Sequence, residues 1–135
     1  MNINSVSNTS FEGKIVYGKK MTKQMLEYSN KILDKIVDGN TARMRIKKAP
    51  FDLEIHKSGT KKTIHPKIFF QSYYYRLGDN HKYYTYSSSV KLNSNISKGA
   101  KELNKFLDKF EEKKDAHKDA YNTFGEKLLA FLKNF

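Results

Sequence analysis

The feature that most constrains this chain is an apolar stripe in its last forty residues, carried at alternating steps of four and three. It runs Ile96, Ala100, Leu103, Leu107, Phe110, then Lys114 and His117, then Tyr121, Phe124, Leu128, Phe131 and Phe135. Such steps hold side chains on one face of a helix, and the phase survives the charged middle without a slip. The C-terminal third must therefore bury a long aromatic face. From Lys105 to Tyr121 there is no Gly, Pro or Asn, and Glu111-Glu112-Lys113-Lys114 favours helix. One unbroken helix over 97–134 would be about 55–60 Å long. A compact domain of this size has a radius of gyration of only about 14 Å. The stripe is also wider than a coiled-coil seam. The expectation is one long helix sharply kinked near Lys113–Asp115, or two helices.

Upstream, residues 1–10 are Asn/Ser-rich and read as a flexible lead, with 11–135 as a single domain. Alternation over Phe11–Tyr17 predicts a first strand ending near Gly18. A helix is expected from a Thr22 cap to about Asp38, with Gly39-Asn40 as its left-handed stop. Ala42, Met44 and Ile46 alternate with Arg43, Arg45 and Lys47, which predicts an edge strand closed by Pro50. Phe51–His56, Ile64–Leu77 and Lys82–Leu92 read as three antiparallel strands, with turns at Ser58-Gly59 and Gly78-Asp79-Asn80. Ser94 or Ser97 then caps the closing helical segment. The fold class is α+β: an antiparallel sheet of four to five strands, one helix inserted after the first strand, and helical structure at the C-terminus.

Two segments show likenesses of element order. Helix, three antiparallel strands and helix over Thr22–Lys113 resembles the double-stranded-RNA-binding domain, with Ser97-Lys98-Gly99-Ala100-Lys101 where that family places its basic helix start. Strand, helix, then sheet is similar to the cystatin-like order. Both are patterns only, and a fold does not carry a function.

Composition narrows the chemistry. No cysteine is present, which excludes disulfides, thiolate metal sites and cysteine nucleophiles. There is no P-loop, dinucleotide fingerprint, HExxH or calcium loop, so no cofactor or metal is expected. The N-terminus lacks the basic start and apolar core of a secretory signal, and no apolar run approaches a membrane span. The expected location is the cytoplasm, without membrane insertion.

The net charge of +12 attracts polyanions. Nearly all of it is lysine, and only Arg43, Arg45 and Arg76 offer the bidentate fork suited to phosphate. The leading expectation is a non-enzymatic module that engages a polyanion, nucleic acid first. Its candidate residues are Arg43, Arg45, Lys47, Lys48, Lys61, Lys62, Arg76 and Lys82. With the turn centred on Gly78-Asp79, Tyr75 faces Tyr83 and Tyr74 faces Tyr84. The simpler reading is tyrosines covering a half-buried sheet face, and the alternative is a stacking platform beside Lys82, Arg76 and Lys91. A second expectation is an assembly module of a phage or bacterial accessory protein, docking or dimerising through Tyr121, Phe124, Leu128, Phe131 and Phe135. A third is a small metal-independent nuclease using His56 or His65. No catalytic residue is assigned.

Overall fold

The protein is described from a computed structural model, which covers residues 12–58, 66–79, 81–84, 88–117, 119–122 and 124–133. Nine strands and four helices follow in chain order among these residues. Strand β1 spans Ile15–Tyr17 and helix α1 Lys23–Leu33. Thr22 caps α1 as expected, its Oγ1 accepting the Met25 N–H at 3.2 Å. The helix ends at Leu33, well short of Asp38, because the next residues fold into a hairpin. In it β2 (Ile36–Val37) pairs antiparallel with β3 (Asn40–Thr41). Asp38 and Gly39 form the two-residue turn, at φ of 52° and 80°. Both positive values belong to the hairpin turn that Asp-Gly favours.

The expected edge strand at Ala42–Lys47 is instead a short helix, α2. Thr41 caps it through Oγ1 to the Met44 N–H, and Ala42 and Ile46, one helical turn apart, are its buried residues. Over six residues, alternation and an i, i+4 pair select the same apolar positions. The cap and the burial decided for helix.

Strands β4 (Leu53–Ser58), β5 (Lys67–Gln71) and β8 (Ser88–Lys91) form the antiparallel meander read from the sequence, with β1 added beside β4. Strand β1 runs parallel to β4, Ile15 opposite Leu53 and Tyr17 opposite Ile55. The four-stranded sheet, in order β1-β4-β5-β8, is therefore mixed and not antiparallel throughout. A second sheet has the order β7-β6-β9, from β6 (Tyr73–Arg76), β7 (Tyr83–Tyr84) and β9 (Ala120–Tyr121).

At the C-terminus the structure contains two helices. Helix α3 spans Ile96–Asp115, capped by Asn95 where a serine was expected, and α4 spans Phe124–Lys133. Between them β9 pairs with β6, Tyr121 opposite Tyr75 and Ala120 opposite Arg76. Tyr121 thus sits in a strand and not on a helix stripe. The upstream half of the stripe is buried as its phase requires: Leu103 and Leu107 are fully buried, and Phe110 nearly so. Lys114 keeps that phase, and its buried ammonium pairs with buried Glu126 of α4, tying the two helices together.

One core joins these elements. Leu53, Ile55, Ile68, Phe70 and Val90 face inward from the large sheet, against Met25, Tyr28 and Ile32 of α1 and Leu103, Phe106 and Leu107 of α3. The two helices meet at Gly99, where a Cβ would stand 2.8 Å from the Tyr28 hydroxyl and 3.1 Å from Ile32 Cγ2. A side chain there would have to displace the Tyr28 hydroxyl, which lies 2.6 Å from Ser94 Oγ. No helix among the described residues is long and apolar enough to cross a membrane.

Candidate nucleic-acid interface

The stretch from Lys67 to Arg76 is one path of chain that serves both sheets. Its even residues Ile68, Phe70, Ser72 and Tyr74 are buried, while Phe69, Gln71, Tyr73 and Tyr75 are half-exposed. The alternation runs without slip through Ser72, where β5 gives way to β6 and the pairing partners change. Ser72 Oγ donates to Asp52 O at 2.7 Å. Asn122 clamps the same junction: its Oδ1 accepts the Asp52 N–H at 3.0 Å and its amide donates to Tyr73 O. The outward side chains of both sheets therefore form one continuous face, opposite the face that carries α1 and α3.

The tyrosines occupy that face in a connected row. Tyr73 stands opposite Tyr84 and Tyr74 opposite Tyr83, one residue out of register from the pairing expected for a turn centred on Gly78-Asp79. The slip exchanges partners but keeps one aromatic pair per face. Tyr74 and Tyr83 stack on the inner side at 5.5 Å, with Phe110 and His117 beyond Tyr74. On the outer side the ring centroids of Tyr84 and Tyr73 are 5.7 Å apart, Tyr73 and Tyr75 5.6 Å, and Tyr75 and Tyr121 5.6 Å. Tyr84 is 48% exposed, the most open ring of the four.

Among the described residues two cations serve this row. Lys82 Nζ lies 3.9 Å from the Tyr73 centroid and 5.8 Å from that of Tyr84, and Lys127 Nζ lies 5.6 Å from the Tyr121 centroid. Burial pushes the Tyr73 phenol above its ordinary pKa. For Lys82, burial works against the charge, but the oxygens of Tyr73 and Tyr84 outweigh it, and its pKa is raised. The loop between β6 and β7 is held by Asp79, which accepts from the Tyr83 hydroxyl at 2.6 Å and from the His81 N–H at 2.8 Å. The Tyr83 bond, then the His81 bond, lower the Asp79 pKa, and the same bond to Asp79 raises that of Tyr83.

Further along the open face, His56 stacks on Phe69 at 5.2 Å and shares a 2.8 Å contact between its Nε2 and Glu54 Oε1. His65, the alternative to it as a nuclease residue, lies outside the described residues. Among the described residues no group of three His, Asp or Glu side chains is placed to hold a metal ion.

The residues expected to track phosphate do not converge. Arg43 bonds Asp34 at 2.7 Å and Asn30 at 3.0 Å, joining α2 to α1, and the Asp34 bond raises its pKa further. Arg45 joins α2 to α3 through Asp108 at 2.8 Å, Glu111 at 3.4 Å and the Asn104 side chain at 3.1 Å. With a helix in place of the strand, the three-cation row of Arg43, Arg45 and Lys47 is absent. Lys47 and Lys48 are exposed at the end of α2, and Lys61 and Lys62 lie outside the described residues. Arg76 sits over Tyr83 and near Asp119, on the side away from the tyrosine row. Among the expected cations that lie within the described residues, only Lys82 joins the aromatic site. Tyr121 and Lys127 join it from a segment read as helix stripe. Of the other stripe residues, Leu128 and Phe131 are about half exposed, while the Phe124 side chain and Phe135 lie outside the described residues. Comparison of the chain with protein-family models, with curated proteins and with solved structures finds no match.

Proposed function

We propose that this protein binds single-stranded nucleic acid on the open face of its sheets, with bases stacking on Tyr73, Tyr84, Tyr75 and Tyr121. The observation that carries this reading is the row of four half-exposed or exposed tyrosines with Lys82 and Lys127 above its rings. Flat rings offer every base a π-face, and ammonium groups beside them meet the phosphates that link those bases. A duplex hides its base faces, so the site favours single strands. With Arg43 and Arg45 held in ion pairs away from the tyrosine row, lysines carry the phosphate contacts, and affinity should fall steeply with salt. Fluorescence anisotropy of labelled single-stranded RNA, single-stranded DNA and duplex DNA, at low and near-physiological salt, tests this. A preference for single strands that is lost in Tyr73→Ala and Tyr84→Ala supports it. Equal binding of all three polymers, unaffected by those substitutions, would reject it.

A second reading is favoured by a separate observation. Leu128, Phe131 and Leu132 on α4 are 49%, 47% and 56% exposed, a cluster of large apolar side chains on one short helix. In that reading α4 docks on a partner or on a second copy. A sedimentation series that stays monomeric at all concentrations, with no effect of Leu128→Asp, would remove self-association through α4.

A further inference from the structure

Strand β8 is the outer strand of the four-stranded sheet, and α3 runs beside it. The groove between them has one part of about 330 Å³, whose lining includes Lys67, Ser89, Lys91, Lys98 and Glu102. A smaller part of about 110 Å³ includes Glu102, Lys105, Phe106 and Lys109. Glu102 borders both, so the groove is continuous along the helix. From Lys98 to Lys109 it follows α3 for about 16 Å, the length of about five extended residues.

The backbone of β8 is arranged to receive a strand. The Leu92 N–H donates to Pro66 O at 2.9 Å, so even-numbered residues of β8 turn their backbone groups toward β5. Ser89 and Lys91 then turn theirs outward. Lys91 O accepts the Ser94 N–H at 3.2 Å. Among the described residues no strand pairs with this side of β8.

The charge is arranged for an anion. Lys67 and Lys91 stand directly opposite each other. By the same parity they are a non-hydrogen-bonded pair, which brings side chains closest. Like charges in that position oppose pairing. Lys98 lines the same part of the groove, and Lys105 and Lys109 extend the positive wall. Glu102 is the single acid between them. An anionic occupant would relieve this repulsion on both sides of the strand at once.

We propose that an extended acidic segment of a partner protein adds to β8 as a fifth strand of the sheet. Its backbone pairs with Ser89 and with the Lys91 N–H, the Lys91 carbonyl being engaged by the Ser94 N–H. Alternate carboxylates meet Lys67 and Lys91 on the open face, and the intervening ones meet Lys98 and Lys105 across the groove. A polynucleotide would find the lysines but has no amide ladder to offer the outward backbone groups, so a peptide is the better fit. This site is separate from the tyrosine row, which lies toward the other end of the strand path that begins at Lys67.

The test uses the full chain and a short fluorescent peptide of alternating Glu and Thr. It is measured beside the same peptide N-methylated on every second amide, in each of the two phases. Strand addition predicts that one phase of methylation weakens binding by about tenfold or more, through lost backbone bonds, and that the other is tolerated. Lys98→Glu with Lys105→Glu, both on the exposed helix surface, should abolish peptide binding with the far-UV circular dichroism unchanged. Tyr73→Ala should leave peptide binding intact, and the double lysine variant should leave single-stranded RNA binding intact, so the two sites fail separately. Absence of peptide binding at low salt overturns the proposal. So does indifference to both methylation phases, or a double lysine variant that loses RNA and keeps the peptide.

Discussion

Neighbouring residues of one strand path, Lys67–Arg76, meet opposite fates. Phe70 and Tyr74 point into the core, where Phe70 faces Phe106 at 6.3 Å and Tyr74 faces Phe110 at 6.4 Å. Phe69, Tyr73 and Tyr75 point outward, among rings, Lys82 and the His56–Glu54 pair. Residue type does not distinguish the two sets, since aromatics dominate both. What differs is the second layer: α1 and α3 cover the inner face. An aromatic residue on the covered face stabilises the fold, and one on the open face is available for recognition.

Four substitutions or conditions break or sharpen that contrast, from the largest effect to the smallest. Phe70→Ala removes a fully buried ring and should cost about 3–5 kcal/mol of stability in urea unfolding. Tyr73→Ala, on the other face, should cost far less stability but weaken single-stranded RNA binding by about 1–3 kcal/mol, or roughly 5- to 150-fold. If Tyr73→Ala destabilises as much as Phe70→Ala, the outer face is a packing face and the contrast collapses. Lys82→Ala should reduce the slope of log affinity against log salt for single strands by about 0.7, with a modest loss of affinity. An unchanged slope would mean that Lys82 orders the tyrosines without meeting phosphate.

The smallest effect is acid-linked. The bond from Tyr83 lowers the Asp79 pKa, so its contribution is complete above the ordinary value of 3.8 and fades as pH falls through the lowered one. The carboxyl carbon shift of Asp79 should therefore hold steady down to about pH 4 and move only below it. Movement at higher pH would show that Asp79 does not hold this turn.

Much of the architecture was legible in the residues because it rests on short-range chemistry. Thr22 marked the start of α1, alternation marked β4, and aromatic and β-branched content between turn signals marked the segments that hold β5 and β8. The misreadings have equally local causes. Ile36 and Val37 continue the apolar phase of α1, which concealed an Asp-Gly hairpin, and six residues were too few to separate a strand from the helix Ala42–Lys47. That second error scattered the candidate site, because Arg43 and Arg45 became ties between helices. The tyrosine platform was legible as a cluster on a sheet face. Its partner ring Tyr121 was not, because only long-range pairing brings β9 beside β6.

The sequence by itself determined where α1 begins, which residues of the meander strands share a face, and that the C-terminal stripe must be buried along its upstream half. Those are consequences of backbone geometry, side-chain periodicity and capping between residues a few positions apart. Only the tertiary structure decided that β1 lies parallel to β4, that the stripe breaks after Asp115, and that α1 and α3 cover one aromatic face while the other is left half-exposed. Each depends on contacts between residues distant in the chain: Ile15 with Leu53, Lys114 with Glu126, Tyr75 with Tyr121. Periodicity states which side of an element is apolar, but the packing of other elements decides which side is covered.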